Sequence, residues 1–206
     1  MIFQKIYDQS IKIDIYQQYV NILSPYIDKH TNIVDVGCGT GKLLSMFQSK
    51  TSNVFGIDLD DDMLTYAKQQ HPKLKLFKHD MHEPFPFYAD IIILSMDVIH
   101  YSATPLKVLR HAMDALEEEG IIIFDYFNKA LPDIDETHLH PLAYTWKRTI
   151  KEHKVLHEVV TPDQTYKFIQ YEHLNIDFES FLKQAGFNVT SQLSIDSNKN
   201  IIFAKR

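Results

Sequence analysis

The fold of this chain is decided by one short stretch, Ile33-Val34-Asp35-Val36-Gly37-Cys38-Gly39-Thr40-Gly41. It starts as an apolar run of strand length, and Lys42 to Phe47 follow with helical spacing. A strand that turns into a helix through glycines leaves backbone N–H groups bare at the helix N-terminus, where a ligand can approach closely. The stretch therefore predicts a ligand-binding corner between a strand and a helix.

A carboxylate stands at the end of the next predicted strand. Asp58 follows the apolar run Val54-Phe55-Gly56-Ile57. The tip of a neighbouring parallel strand is where α/β nucleotide-binding folds hold a ribose diol. Together with the glycine loop, Asp58 predicts a nucleoside-type cofactor lying across the carboxyl edge of a sheet.

Length and composition limit the class of protein. A chain of 206 residues suits one α/β domain, and its net charge of -6 argues against a nucleic-acid backbone as partner. The single cysteine, Cys38, excludes an internal disulfide. The apolar runs are too short to cross a bilayer, and the N-terminus lacks the apolar core of a signal peptide. We expect a cytoplasmic protein with no membrane partner.

The rest of the chain alternates predicted strands with predicted helices. Helices are predicted over 12–28, 41–49, 60–70, 104–119 and 178–185, and strands over 32–36, 53–57, 73–77, 89–94 and 121–126, with a closing hairpin of 187–195 and 201–204. Near-continuous apolar strands indicate a parallel sheet covered by helices on both faces. Residues 131–176 break this rhythm and predict two or three inserted antiparallel strands.

These motifs resemble those of the class I S-adenosylmethionine (SAM)-dependent methyltransferases of the small bacterial type. The matching segments are 34–41, 56–59, 79–81, 116–124 and 181–187, within roughly residues 1–130 and 176–206. The resemblance implies one α/β domain over 1–206 with a Rossmann-like seven-stranded sheet of order 3-2-1-4-5-7-6, whose last strand is antiparallel. It also implies an N-terminal helical lid over 1–30. The residues themselves disfavour a nicotinamide cofactor, because Lys42 stands where the dinucleotide fingerprint needs its third glycine.

The resemblance also implies a binding site for SAM, whose product is S-adenosylhomocysteine. It assigns Asp35 to the methionyl amino group, Asp58 to the ribose hydroxyls and Asp80 to the adenine amino group. Each has a plainer alternative: Asp35 or Asp58 as a helix cap, Asp80 as a turn former. The full predicted cofactor set is Tyr7, Tyr16, Asp35, Gly37, Cys38, Gly39, Thr40, Gly41, Asp58, Leu59, Met63, Asp80, Met81, Ser95, Met96 and Asp97.

Aromatic packing is the alternative for Tyr7 and Tyr16, and core packing is the alternative for Met63. The loop after the fourth strand carries the predicted catalytic residues, His100 and Tyr101. His100 is the candidate general base because its ordinary pKa lies near neutrality, and a packing residue is its alternative.

Methyl transfer mainly needs the acceptor held in line, so a dedicated base is optional. The eleven histidines do not form a set of ligands that predicts a metal site.

The favoured function is methyl transfer to a small-molecule acceptor by in-line displacement. Methylation of RNA or protein is one alternative, and a non-catalytic SAM-binding interaction protein is another. Tyr144, Trp146 and Arg148 share one face of an inserted strand and predict a substrate wall or a subunit contact. The protein is expected to be a monomer or a homodimer.

Overall fold

The computed structural model describes residues 2–194 and 198–206. The helices are α1 (Ile2–Ser10), α2 (Ile13–Leu23), α3 (Lys42–Phe47), α4 (Asp61–Gln70), α5 (Pro105–Ala115) and α6 (Phe178–Ala185), with single 3-10 turns at Ser24–Tyr26 and Val98–Tyr101. The strands are β1 (Ile33–Val36), β2 (Val54–Asp58), β3 (Lys75–Lys78), β4 (Ala89–Leu94), β5 (Leu116–Phe127), β6 (Ile134–His138), β7 (Tyr144–Lys151), β8 (Lys154–Val160), β9 (Thr165–Tyr171), β10 (Asn188–Ser194) and β11 (Lys199–Lys205).

Seven strands form the main sheet in the order β10-β11-β5-β4-β1-β2-β3. The strands β1 to β5 pair in parallel, and β11 runs antiparallel to both of its neighbours. This confirms the predicted α/β Rossmann-like class and the strand order 3-2-1-4-5-7-6.

Helices cover both faces of this sheet, which explains why its central strands are apolar throughout. All four residues of β1 are buried, and the last four of β4 are buried as well. One core cluster joins β4 and β5 to α5 and α6, whereas the other joins β1 to α2 and α3. The sheet is therefore a rigid platform whose carboxyl edge carries the loops after β1, β2 and β4.

Some predicted boundaries are wrong. The helix predicted to reach Glu119 ends at Ala115, because Leu116 already pairs with Ala89 of β4 and tertiary pairing overrides the helix preference of the glutamates that follow. The helix predicted over 12–28 ends at Leu23, and α1 precedes it. Of the closing hairpin, residues 195–197 lie outside the described residues.

The insertion after β5 has four strands rather than two or three. They form an antiparallel sheet of order β6-β7-β8-β9. Its inner face carries Tyr144, Trp146 and Arg148 of β7, as their alternation predicts. Within the described residues, every helix is too short or too polar to cross a bilayer.

Candidate functional site

The glycine loop forms the corner between β1 and α3. Gly37 and Gly41 have φ of +69° and +73°, and a Cβ on Gly37 would lie 2.6 Å from the Val98 Cγ2 atom. Backbone conformation and close packing therefore require glycine at these two positions. Gly39 also has a positive φ, 52°, but its packing is looser, since a Cβ there would meet only the Tyr7 ring among the described residues, at 3.7 Å.

Asp35 is the most informative residue of the corner. It is 2% exposed, and its Oδ1 atom has no hydrogen-bond partner among the described residues. Burial raises the pKa of Asp35 well above its usual range, and the nearby Asp58 raises it further. Within residues 2–194 and 198–206, no side-chain hydrogen bond caps α3, so the helix-cap alternative for Asp35 is wrong. A buried carboxylate oxygen without a partner fits a positively charged donor supplied by a ligand.

Asp58 is held at the tip of β2 by backbone donors. Its Oδ2 accepts from the Gly39 N–H at 2.8 Å, and its Oδ1 accepts from the Asp60 N–H at 2.9 Å. Burial raises its pKa, although these backbone hydrogen bonds oppose the increase. Asp60, rather than Asp58, caps α4 by accepting from the N–H groups of Asp62 and Met63. Asp58 thus ties the second strand to the glycine loop.

Helix α1 lies over this corner. The Asp8 carboxylate accepts a hydrogen bond from the Thr40 hydroxyl, and the Asp8 backbone carbonyl accepts one from the Lys42 ammonium at 3.3 Å. At its other end, Phe3 stacks on Tyr166 of β9 with ring centroids 4.8 Å apart. The helix therefore bridges the main sheet and the inserted sheet.

Beneath α1, the space beside Asp35 is small. It measures about 10 Å³. Its walls are Tyr7, Tyr16, Asp35, Gly37, Cys38, Thr40, Lys42, Leu43, Ser95 and Met96. The structure therefore brings together eight of the predicted cofactor residues around one buried point.

The other predicted cofactor residues have more varied surroundings. Leu59 is 60% exposed, whereas Met63 is buried in a cluster with Phe3 and Ile6, as its core alternative predicts. Asp80 accepts from the backbone N–H of His82 at 2.9 Å and pairs with its ring at 2.8 Å, the contacts of a turn former. The His82 hydrogen bonds lower the pKa of Asp80. Met81 packs against the core, so the adenine contact stays a prediction.

Met96 and Asp97 lie where β4 ends, in strained backbone. Both have positive φ, 60° and 68°. The Asp97 carboxylate pairs with the Lys199 ammonium at 2.7 Å, and Lys199 also lies 3.6 Å from Asp125. The Asp97 N–H donates to Asp125 at 3.1 Å. This network fixes the loop after β4 against β5 and β11.

The geometry is incompatible with His100 as a general base. The residue is fully buried, its Nδ1–H donates to the Tyr171 carbonyl at 2.8 Å, and its Nε2 accepts from the Phe127 N–H at 3.0 Å. Burial lowers its pKa to about 3. His100 is thus a neutral packing residue that joins the main sheet to β9.

Tyr101 does line the large cavity described next. Enclosure by protein and then the charges of Asp97 and Asp58 raise its pKa above the ordinary value. Its phenol is neutral at physiological pH and can donate a hydrogen bond.

A cavity of about 690 Å³ separates the carboxyl edge of the main sheet from the inner face of the inserted sheet. Aromatic rings line it from helix α1, from the 3-10 turn after β4 and from both sheets, namely Tyr7, Tyr101, Phe127, Tyr144, Trp146 and Phe168. Its size falls in the range of small-molecule sites. Met96 and Tyr7 border both this cavity and the small space beside Asp35.

Several residues at this site were not predicted from the sequence as cofactor-binding or catalytic residues. Lys199 and Asp125 meet only because β11 pairs antiparallel with β5. His157 enters the cavity wall because β8 places it opposite Arg148. Of these residues, only Asp8 could have been predicted from the sequence, because it directly follows Tyr7 in the predicted lid.

Comparison with known proteins gives one consistent result. A family model described as a methyltransferase domain matches residues 27–191. YqeM of Bacillus subtilis strain 168, whose name describes it as a methyltransferase, is 24% identical over 91% of this chain and 85% of its own length.

Two solved structures share the whole architecture. A SAM-dependent methyltransferase from Clostridium acetobutylicum has a TM-score of 0.78 at 17% identity, covering 99% of this chain and 96% of that one. SAM-bound CalS10, an amino pentose methyltransferase from Micromonospora echinaspora, has a TM-score of 0.76 at 16% identity, covering 100% and 97%. At these identities the two structures establish the fold alone.

Proposed function

Because this chain belongs to the methyltransferase domain family, we propose that it transfers a methyl group from SAM to a small-molecule acceptor. The observation that carries the proposal is the buried Oδ1 atom of Asp35 beside the glycine loop, which has no hydrogen-bond partner in the part of the chain that the structure describes. Leaving such an atom unpaired costs about 1–3 kcal/mol, so the site is arranged for a donor that arrives with a ligand. The amino group of SAM is a donor of this kind.

The other predicted residues would hold the nucleoside half. A carboxylate has about four lone-pair positions, so Asp58 can accept from two ribose hydroxyls in addition to its backbone donors. Leu59 is exposed beside it and offers an apolar surface to the adenine. The SAM sulfonium supplies an activated methyl group, and the chain has to direct it into the large cavity.

Helix α1 is proposed to act as a lid. The space of about 10 Å³ beside Asp35 is far below the roughly 300 Å³ that small-ligand sites occupy. The Tyr7 ring lies over Gly39, and α1 is attached through Asp8 to Thr40 and Lys42. We expect Tyr7 and α1 to move outward when SAM enters, and to exclude water once it is bound.

Catalysis by this chain is proposed to rest on orientation. His100 is unavailable as a base, and Tyr101 is a neutral phenol. Holding the acceptor in line can by itself supply about 7–11 kcal/mol of the barrier. The fixed loop of Met96 and Asp97 and the aromatic cavity walls provide that positioning.

A small acceptor is favoured because the inserted sheet encloses the cavity, and because CalS10, which shares the fold, is an amino pentose methyltransferase. RNA or protein as acceptor and a non-catalytic binding role are the alternatives. A cytoplasmic location and a monomer or homodimer stay predictions.

Two measurements test the proposal. Calorimetry with S-adenosylhomocysteine should give a one-to-one binding isotherm that Asp58→Ala weakens strongly, whereas Asp61→Ala on the exposed side of α4 should not. Incubation with methyl-labelled SAM and a metabolite extract should label small molecules. Absence of binding by the folded protein would refute the cofactor, and label found only in RNA or protein would refute the acceptor class.

A further inference from the structure

The large cavity contains a cation, Arg148, that no carboxylate among the described residues neutralises by contact. Arg148 is half-buried on the inner face of β7, and its Nε donates to the Pro132 carbonyl at 2.9 Å. Within residues 2–194 and 198–206, no carboxylate oxygen lies within 4.0 Å of its guanidinium. A guanidinium carries five N–H donors, so most of its donors remain for a ligand.

The surrounding carboxylates act on Arg148 from a distance, and each has a nearer partner. Asp97 pairs with Lys199, and Glu136 lies 3.7 Å from the His138 ring. Asp133 accepts from the Ile150 N–H at 2.9 Å, and Glu172 accepts from the Leu131 N–H at 3.2 Å, contacts that direct these carboxylates to the backbone. Burial lowers the pKa of Arg148, and these four carboxylates oppose the decrease. The guanidinium is therefore a partly desolvated charge that faces the cavity.

Beside Arg148, the cavity wall is aromatic and its polar atoms are paired with one another. The Trp146 Nε1–H donates to His157 Nδ1 at 3.1 Å, and His157 Nε2–H donates to Gln170 at 3.0 Å. The His157 ring stacks on Phe168 at 4.5 Å, and burial lowers its pKa to about 4, so it is neutral. The wall thus offers ring faces to a ligand and leaves charge recognition to Arg148.

We propose that the acceptor is a ring-bearing small molecule with an anionic group, a carboxylate or a phosphate, which Arg148 binds while the ring packs against the Trp146 and Phe168 wall. Guanidinium recognises both groups through paired N–H donors. That this ligand is the methyl acceptor rests on the proposed function, but the anion site itself does not depend on SAM.

The test uses the fluorescence of Trp146, the single tryptophan of the chain. Benzoate, phenyl phosphate and the neutral isostere benzamide are titrated into the full-length protein, with and without saturating S-adenosylhomocysteine. Benzoate or phenyl phosphate should bind about tenfold more tightly than benzamide, and the stronger of the two identifies the anion. Equal binding of all three probes would overturn the inference.

Variants assign the effect to one side chain. Arg148→Met should remove the preference for the anion, whereas Arg148→Lys should retain the preference with weaker binding. Lys147→Met is the matched control, because Lys147 is the neighbouring cation on the opposite face of β7 and pairs with Asp135. An unchanged preference in folded Arg148→Met would overturn the assignment. If that variant does not fold, the wild-type contrast and Arg148→Lys decide.

The cofactor arm separates this inference from the proposed function. S-adenosylhomocysteine should bind without displacing benzoate. Displacement would place Arg148 in the cofactor site and overturn the inference. Failure of S-adenosylhomocysteine to bind would refute the proposed function, and the contrast between benzoate and benzamide would still decide the anion site.

Discussion

Replacing Asp35 with Asn should stabilise the ligand-free protein and weaken cofactor binding at the same time. The wild-type residue buries a carboxylate whose Oδ1 has no partner among the described residues. Removing the charge should raise the free energy of unfolding at pH 8 by about 1–2 kcal/mol, because a neutral amide costs less to bury without a partner than a carboxylate does. Loss of the charged partner for the amino group should cost about 3 kcal/mol of binding, roughly 150-fold in Kd.

The stability difference should depend on pH with a definite sign. The pKa of Asp35 is higher in the folded protein than in the unfolded chain, where it is about 3.9. Between these two values the folded state binds more protons, so wild-type stability falls as pH rises through that window. The Asn variant has no such loss. Its advantage should therefore be smallest near pH 5 and grow towards pH 8.

Urea unfolding between pH 5 and pH 8 measures the first effect, and calorimetry with S-adenosylhomocysteine measures the second. Asp163→Asn, at an exposed position in the turn between β8 and β9, is the control for loss of one negative charge. A variant that is less stable at pH 8, with no pH trend, would refute the reasoning about burial. Wild-type affinity in the variant would refute the amino-group contact.

Three further changes test other parts of the structure. Gly37→Ala should destabilise the fold by about 2–4 kcal/mol in urea, because its φ is +69° and its new methyl would meet Val98. His100→Ala should lower the free energy of unfolding by about 3–5 kcal/mol, because it leaves two buried backbone groups unpaired. The pH profile of wild-type turnover should show no ionisation from His100 above pH 5, since its pKa is about 3. Phe3→Ala should speed amide exchange in α1 and release of SAM, with exchange in β4 unchanged.

The outcomes that would contradict these predictions differ. Adding Val98→Ala to Gly37→Ala should relieve the steric clash but leave the backbone strain. Full recovery of wild-type stability in this double variant would therefore contradict the argument from φ. A fully stable His100→Ala protein with an altered pH profile would restore His100 as a base. Equal acceleration of exchange in α1 and β4 would mean that Phe3 supports the whole fold rather than the lid.

Sequence alone predicted the parts of the fold that depend on local chemistry. The glycine corner between β1 and α3 follows from residue types at short spacing, whereas the strand order was implied by the resemblance to class I SAM-dependent methyltransferases and is confirmed by the structure. The helix predicted to reach Glu119 is wrong, because pairing of Leu116 with Ala89 is a long-range contact that helix preference does not encode.

Only the tertiary structure decided the status of individual site residues. From the sequence, His100 is a candidate base because the ordinary pKa of histidine is near neutrality. In the structure it is a neutral packing residue, because backbone groups of Phe127 and Tyr171, distant along the chain, hydrogen-bond both ring nitrogens. The registers of β5 with β11 and of β7 with β8 bring Lys199 and His157 to the cavity. Residue types within one stretch determine a strand, a turn or a cap, whereas burial and pairing arise only when separate stretches meet, and those set charge, accessibility and chemical role.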